Sequence, residues 1–162
     1  MLIPVVDAND IQIGLKERED ITSGDIYRVS ALWLTNSNGD VLLTQRSYTK
    51  KNSPGAWSAA VAGTVECSES YEENILKETQ EELGFLLSSS ELRLGPKKRM
   101  PHLFCQWYFA TKNIALNTLI LQPDEVIDAQ WVTPQDLRRW VSERPEEFTG
   151  SMPLVLDEFL AL

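Results

Sequence analysis

Short apolar runs separated by turn residues dominate the first third of the chain. Ile3–Val6 and Ile11–Leu15 lie on either side of an Asn-Asp pair, a pattern that predicts an N-terminal β-hairpin. Val29–Leu34 and Val41–Thr44 are joined by a polar segment containing Asn-Gly, which is a strong hairpin signal. A third short strand is predicted at Trp57–Ala62, after a Pro-Gly turn. The chain therefore begins with β-structure built from hairpins.

The segment from Ser68 to Leu83 has the composition of a helix. It contains neither Gly nor Pro and is rich in glutamate. Ser68 or Ser70 is suited to cap its start, and Gly84 is suited to end it, because glycine adopts the left-handed conformation at low cost. We therefore predict one helix over this segment.

The second half of the chain mixes strands and helices. Leu103–Thr111 and Val126–Val132 are predicted strands. Thr133, followed by proline, predicts the N-cap of a helix that continues to about Glu143, and Pro153–Leu162 predicts a final helix. Because strands and helices do not alternate strictly, the pattern favours an α+β fold with a mixed sheet over a doubly wound fold.

Composition and charge narrow the classes of function. A chain of 162 residues, 43% of them hydrophobic, has the size of one domain and enough apolar surface for a substantial core. Its net charge of −9 disfavours a protein that binds duplex nucleic acid by neutralising phosphates. Small phosphorylated molecules are compatible with this charge when divalent cations lie between the carboxylates and the ligand.

Neither membrane insertion nor zinc binding is predicted. No apolar stretch approaches the roughly 18 residues that span a bilayer, and the run Met1–Val6 is too short for the core of a signal peptide. A cytoplasmic protein is therefore expected. Cys67, Cys105 and the single His102 do not form a zinc-ligand motif.

Three glutamates of the predicted helix share one face. Glu78, Glu81 and Glu82 stand at i, i+3 and i+4, which places their side chains within about one helical turn. Like charges at this spacing destabilise a helix by about 0.2–0.5 kcal/mol for each pair. Two interpretations are open: a solvated acidic face, and a site for a hard divalent cation such as Mg²⁺, which binds carboxylate oxygens and substrate phosphates.

The residues around this helix match a longer spacing pattern. The pattern consists of Gly63, Glu69, Lys77-Glu78, Glu81-Glu82, Gly84 and Phe85. Over residues 63–85 it resembles the Nudix box, the loop-helix-loop signature of the Nudix (MutT-like) hydrolases. Lys77 stands where this family usually has arginine, and Thr79 where it usually has an aliphatic residue. The resemblance implies a single Nudix domain over residues 1–162, with an α/β/α sandwich around a mixed β-sheet.

The resemblance also implies the chemistry of the site. Mg²⁺ or Mn²⁺ would be held by Glu78, Glu81 and Glu82 and by the Gly63 carbonyl, and the same three glutamates would be the catalytic residues. No other cofactor is implied. The implied reaction is cleavage of a diphosphate bond in a nucleoside diphosphate linked to another moiety, or in a similar organic diphosphate. The sequence does not identify the substrate or the general base, and Glu125 is either an auxiliary base or a solvated turn residue.

The N-terminal segment 5–10 resembles the branch of the family related to isopentenyl-diphosphate isomerase. Those isomerases carry a catalytic cysteine at the position of Ala62, so this chain is expected to lack isomerase activity. An isomerase-like enzyme and a non-catalytic Nudix-fold binding module are the two alternatives to the hydrolase. Lys77 keeps the positive charge of arginine but lacks its planar fork. We therefore expect it to make a single charged contact, with Glu69 as the partner.

The basic positions leave alternatives open. Arg46, Lys50 and Lys51 lie close in sequence to the predicted site, and they either contact substrate phosphates or belong to a solvated loop. The basic triplet Lys97–Arg99 is expected to lie in a solvated loop. The expected partner is a small-molecule diphosphate, with no duplex nucleic acid and no membrane. The sequence does not determine the oligomeric state, and a homodimer is compatible with it.

Overall fold

A computed structural model describes all 162 residues as a nine-stranded mixed sheet flanked by helices. The strands are β1 (Leu2–Val6), β2 (Gln12–Glu17), β3 (Tyr27–Thr35), β4 (Val41–Arg46), β5 (Trp57–Ala59), β6 (Val61–Thr64), β7 (Arg93–Met100), β8 (Leu103–Thr111) and β9 (Val126–Val132). The helices are α1 (Tyr71–Leu83), α2 (Pro134–Glu143) and α3 (Met152–Leu160). None of these helices combines the length and the apolar character that crossing a bilayer requires.

The N-terminal hairpin forms as predicted. β1 pairs antiparallel with β2 from Leu2 opposite Glu17 to Val6 opposite Gln12. The turn is closed by the Asp7 carboxylate, which accepts hydrogen bonds from the backbone N–H groups of Asn9 and Ile11 at 2.8 and 3.0 Å.

β3 lies at the centre of the sheet. One edge pairs in parallel with β8 over nine residue pairs, from Tyr27 opposite Leu103 to Thr35 opposite Thr111. The other edge pairs in succession with β1, β6 and β4. The predicted hairpin of β3 and β4 is confirmed, but the two strands pair only at its tip, because β4 takes β5 and β9 as its main partners.

Two predictions about the strands are corrected. The expected single strand at Trp57–Ala62 is divided at Ala60 into β5, which pairs with β4, and β6, which pairs with β3. The triplet Lys97–Arg99 lies in β7 rather than in a loop. Apolar and polar side chains do not alternate along β7. The strand forms because its backbone pairs antiparallel with β8.

The core lies on both faces of the sheet. Odd-numbered residues of β3 and β8, such as Trp33 and Trp107, pack with α2 and α3, and the Phe159 ring lies 5.2 and 4.9 Å from their rings. Even-numbered residues of the same strands, such as Leu32 and Tyr108, pack with α1. Helices therefore cover both faces, and the predicted α+β fold with an α/β/α arrangement around a mixed sheet is confirmed.

Candidate active site

The glutamates of interest are positioned by α1, whose ends follow from local chemistry. The Ser70 hydroxyl accepts a hydrogen bond from the backbone N–H of Glu73 at 3.1 Å, and the Glu73 carboxylate accepts one from the N–H of Ser70 at 2.8 Å. This reciprocal pair is a capping box, so Ser70 is the cap rather than Ser68. At the other end Gly84 adopts a left-handed conformation with φ of 75°.

Glu78 lies against the strand that leads into this loop. A Cβ at Gly63 would collide with the Glu78 side chain, so glycine is required for this close approach. Burial raises the pKa of Glu78, while the positive charge of Lys77 opposes this shift. The structure thus brings together Gly63 and Glu78, which are fifteen positions apart in the sequence.

Glu82 is buried and has only 7% of its surface exposed. Burial raises its pKa to about 8, with further contributions from the negative charges of Glu78 and Glu125. Glu81, in contrast, is exposed. The interpretation of a uniformly solvated acidic face is therefore wrong for Glu82, although the predicted spacing of the three residues on one helix is confirmed.

The structure does not gather three or more Asp, Glu, His or Cys side chains into a group that could hold a metal ion. The predicted ligands Glu78, Glu81 and Glu82 thus share one helix, but their carboxylates do not converge on one point. Their assignment as ligands is taken up below as a proposal.

Lys77 holds the loop in front of the helix. Its Nζ atom lies 2.7 Å from a Glu66 oxygen and 2.6 Å from a Glu69 oxygen. Although burial disfavours the charged amine, the hydrogen bonds to the two carboxylates hold the pKa of Lys77 above its usual value. The predicted contact with Glu69 is confirmed, and Glu66 is a second partner that the sequence did not reveal.

Thr79, the other departure from the family pattern, is accommodated locally. Its side chain is fully buried, and its hydroxyl donates a hydrogen bond to the Ile75 carbonyl at 2.7 Å. The added hydroxyl is therefore satisfied within the helix.

A cleft of about 650 Å³ lies between the N-terminal hairpin and the loops that carry Lys50 and Glu125, and Glu78, Glu81 and Glu82 are not among its lining residues. We call it the basic cleft, and its lining residues are Ile3, Arg18, Glu19, Ile21, Tyr27, Arg46, Thr49, Lys50, Lys51, Asn52, Asp124 and Glu125. Arg46, Lys50 and Lys51 thus line this cleft, with Arg46 and Lys50 partly buried and Lys51 exposed to solvent. The positive charges of Lys50 and Arg46 act on the pKa of Glu82, which places the buried carboxyl close to the cleft.

Glu125 is part of the same cleft. Its carboxylate forms an ion pair with Lys50, and its backbone carbonyl accepts a hydrogen bond from the Ser47 N–H at 2.9 Å. The loop that carries it is tied to α1, because the Gln122 N–H donates to the Glu82 carbonyl at 3.1 Å. Glu125 therefore lies in a turn of the cleft wall, partly exposed and paired with Lys50.

The N-terminal hairpin supplies a wall of the cleft that the sequence did not predict. Arg18 follows β2 and donates a hydrogen bond from Nη1 to the Thr64 hydroxyl at 2.7 Å, one residue after Gly63. Tyr27, at the start of β3, lines the same cavity. No local signal distinguishes these residues, because their role depends on contacts between distant parts of the chain.

Comparisons with known proteins agree with this geometry. The family model described as "NUDIX domain" matches residues 26–151. An uncharacterised Nudix hydrolase of Listeria monocytogenes is 30% identical over 119 residues, which cover 74% of this chain and 70% of that protein. The isopentenyl-diphosphate Δ-isomerase of Salmonella arizonae is 30% identical over 135 residues, covering 78% and 72%.

A similar fold occurs among solved structures. The crystal structure of a Deinococcus radiodurans protein superposes with a TM-score of 0.82 and 25% sequence identity, over 98% of each chain. A MutT structure from the fish pathogen Aliivibrio salmonicida or the mesophile Vibrio cholerae covers 84% of this chain and 98% of that one, with a TM-score of 0.65 at 20% identity. Because the family model spans most of the chain and the spacing of residues 63–85 lies within it, the chain belongs to the Nudix hydrolase family.

Proposed function

We propose that this chain is a Mg²⁺-dependent hydrolase that cleaves a diphosphate bond in a nucleoside diphosphate linked to another moiety, or in a similar organic diphosphate. The observation that carries the proposal is the basic cleft with a buried carboxyl beside it. Arg18, Arg46, Lys50 and Lys51 line this cleft, and Glu82 lies close enough for two of these cations to act on it. Three acidic residues, Glu19, Asp124 and Glu125, also line the cleft, so the four basic side chains are in slight excess, which favours a small polyanion.

The donor types, carboxylate and carbonyl oxygens, suit a hard divalent cation, although the three carboxylates do not converge on one point in this structure. Lys50 forms its ion pair with Glu125, and Lys77 forms its pairs with Glu66 and Glu69, so no basic side chain neutralises Glu82 directly. Glu82 is nevertheless buried near two other negative charges, an arrangement that a cation would stabilise.

In this proposal Glu78, Glu81 and Glu82, with the Gly63 carbonyl, would hold Mg²⁺ or Mn²⁺. When bound, such a cation neutralises diphosphate charge and lowers the pKa of the attacking water. Oxygen ligands of this kind are the ones that Mg²⁺ prefers. Glu125 is a candidate auxiliary base, because it lines the cleft and its carboxylate is released when Lys50 turns towards a phosphate.

The cleft also has room for the organic part of the substrate. Its volume of about 650 Å³ lies within the range of small-molecule sites. Tyr27 and Ile21 are partly exposed and provide apolar surface on the same lining as the cations. We therefore expect the basic side chains to orient the diphosphate and Tyr27 to contact the attached group.

Isomerisation is not favoured, although isomerases are among the relatives. Ala62 is exposed on β6, next to Gly63, and offers no proton donor or acceptor there. A non-catalytic binding module is also disfavoured, because burial of Glu82 beside Glu78 and Glu125 costs stability that a catalytic cation site explains.

The test is hydrolysis of a panel of organic diphosphates with and without Mg²⁺ or Mn²⁺. We expect release of phosphate or nucleoside monophosphate only with the cation. Glu82→Gln should lower both cation affinity and the rate, the latter by about a hundredfold or more. Glu72→Gln, on the same helix but bonded to Ser89, is the matched control and should leave both unchanged. Unchanged affinity and hydrolysis in Glu82→Gln would place the site elsewhere.

A further inference from the structure

Asn74 occupies an unusual position on α1. It is fully buried, although it carries four hydrogen-bonding positions in its side chain. It lies one helical turn before Glu78 and five residues after Glu69, on the side of α1 that faces β3 and β6. A buried amide on a helix is costly unless its partners are fixed, so these partners indicate its role.

The amide nitrogen of Asn74 faces three acceptors. It donates to the Thr64 carbonyl at 3.1 Å and to the Glu69 carboxylate at 3.0 Å, and it lies 3.4 Å from the Glu78 carboxylate. An amide nitrogen has only two protons for these three acceptors. The longest contact, to Glu78, is therefore the weakest of the three.

The two glutamates are consequently restrained to different degrees. Glu69 also accepts from Lys77 at 2.6 Å and from the backbone N–H of Glu66 at 3.0 Å, so its carboxylate is held from several sides. The Glu78 carboxylate has Lys77 only at 3.9 Å besides the amide of Asn74. Asn74 is therefore the side chain that donates to the Glu78 carboxylate, although this contact is its longest.

The groups around Asn74 determine which way its amide points, because the Thr64 carbonyl and the ionised Glu69 carboxylate can only accept hydrogen bonds. The Ser30 hydroxyl, fully buried in β3, donates to Asn74 Oδ1 at 2.5 Å. A reversed amide would direct its oxygen at Glu69 and Glu78. Ionised carboxylates have no proton to donate, so that oxygen would lack a hydrogen bond. These acceptors keep the amide protons on their own side, and the hydrogen bond from Ser30 satisfies the amide oxygen on the opposite side.

The same amide reaches the backbone beside Gly63. Its bond to the Thr64 carbonyl connects α1 to β6, and the Thr64 hydroxyl accepts from Arg18, which lines the basic cleft. Asn74 thus links the helix that carries the glutamates with the strand that carries the Gly63 carbonyl.

We infer that Asn74, with its amide oxygen held by Ser30 and its nitrogen by Thr64 and Glu69, is a positioning residue that sets the cation affinity of the site through the Glu78 carboxylate and the backbone beside Gly63. This inference rests on the proposed function. Partners that orient metal ligands affect metal affinity by about 10- to 100-fold when they are removed. We expect about a tenfold loss of Mg²⁺ affinity in Asn74→Ala, and a smaller loss in Ser30→Ala because the amide itself is kept.

The experiment measures Mg²⁺ and Mn²⁺ binding to the full chain by calorimetry, together with the thermal stability of each variant. Thr79→Val is the matched control, because Thr79 is buried on the same helix and bonds only to the Ile75 carbonyl. It should change stability without changing cation affinity. Ser30→Ala added to Asn74→Ala should cause no further loss, because the serine acts through the amide.

The outcomes separate the two proposals. Weaker cation binding in Asn74→Ala and Ser30→Ala, with Thr79→Val unchanged, supports the inference. Unchanged cation affinity in both variants overturns it and leaves the proposed function intact. If the wild type itself binds neither cation, both proposals fail. If Asn74→Ala does not fold, Ser30→Ala decides the question by the same comparison with Thr79→Val.

Discussion

Glu82→Gln should make the protein more stable at alkaline pH when divalent cations are removed. The reason is that Glu82 is buried near Glu78 and Glu125, which raises its pKa to about 8 from its usual 4.5. The folded protein therefore holds a proton that the unfolded chain releases. The contribution of Glu82 to the free energy of unfolding is fully present below pH 4.5 and is lost as the pH rises towards 8. Glutamine keeps the shape of the side chain and does not titrate.

The magnitude follows from the two pKa values. A group with a pKa of 4.5 unfolded and about 8 folded would lower the free energy of unfolding by about 5 kcal/mol across that interval. Water entry and side-chain rearrangement reduce this figure, since buried sites behave as media with an effective dielectric constant of about 20. We expect the wild type to lose about 2 kcal/mol more than Glu82→Gln between pH 5 and pH 8.

Urea unfolding followed by tryptophan fluorescence, in a chelator and at several pH values, measures this difference. Glu72→Gln serves as the control and should retain the wild-type slope. Adding Mg²⁺ should restore stability to the wild type but not to Glu82→Gln, because only the ionised carboxylate binds the cation. The reasoning is refuted if Glu82→Gln and the wild type lose stability in parallel between pH 5 and pH 8.

Three further predictions concern single residues. Lys77→Arg should be tolerated, whereas Lys77→Ala should lower kcat/KM by about a hundredfold, because the loop bonded to Glu66 and Glu69 is released; equal steady-state kinetics in wild type and Lys77→Ala would contradict this. Isopentenyl diphosphate should not be isomerised, because Ala62 supplies no acid or base; dimethylallyl diphosphate above a no-enzyme control would show otherwise. Lys50→Ala should raise KM about tenfold with a smaller change in kcat, since a charge-assisted hydrogen bond to phosphate is lost; a fall in kcat at constant KM would argue against phosphate binding.

The sequence by itself determined the features that depend on neighbouring residues. The end of α1 at Gly84, the N-cap of α2 at Thr133 and the bounds of β8 and β9 were predictable, because capping and apolar patterns act over a few positions. The spacing from Gly63 to Phe85 indicated the family for the same reason. It also indicated which carboxylates share one helix face.

Only the tertiary structure decided how those residues are surrounded. Glu82 is buried while Glu81 is exposed, and the loop that carries Glu125, more than forty positions away, bonds to the Glu82 backbone through Gln122. The basic cleft joins residues near Arg18, Lys50 and Glu125, which no local pattern relates. In β7, apolar and polar residues do not alternate, and the strand is formed by its pairing with β8. Burial, charge proximity and strand pairing are properties of contacts between distant segments, and the folded chain is what brings those segments together.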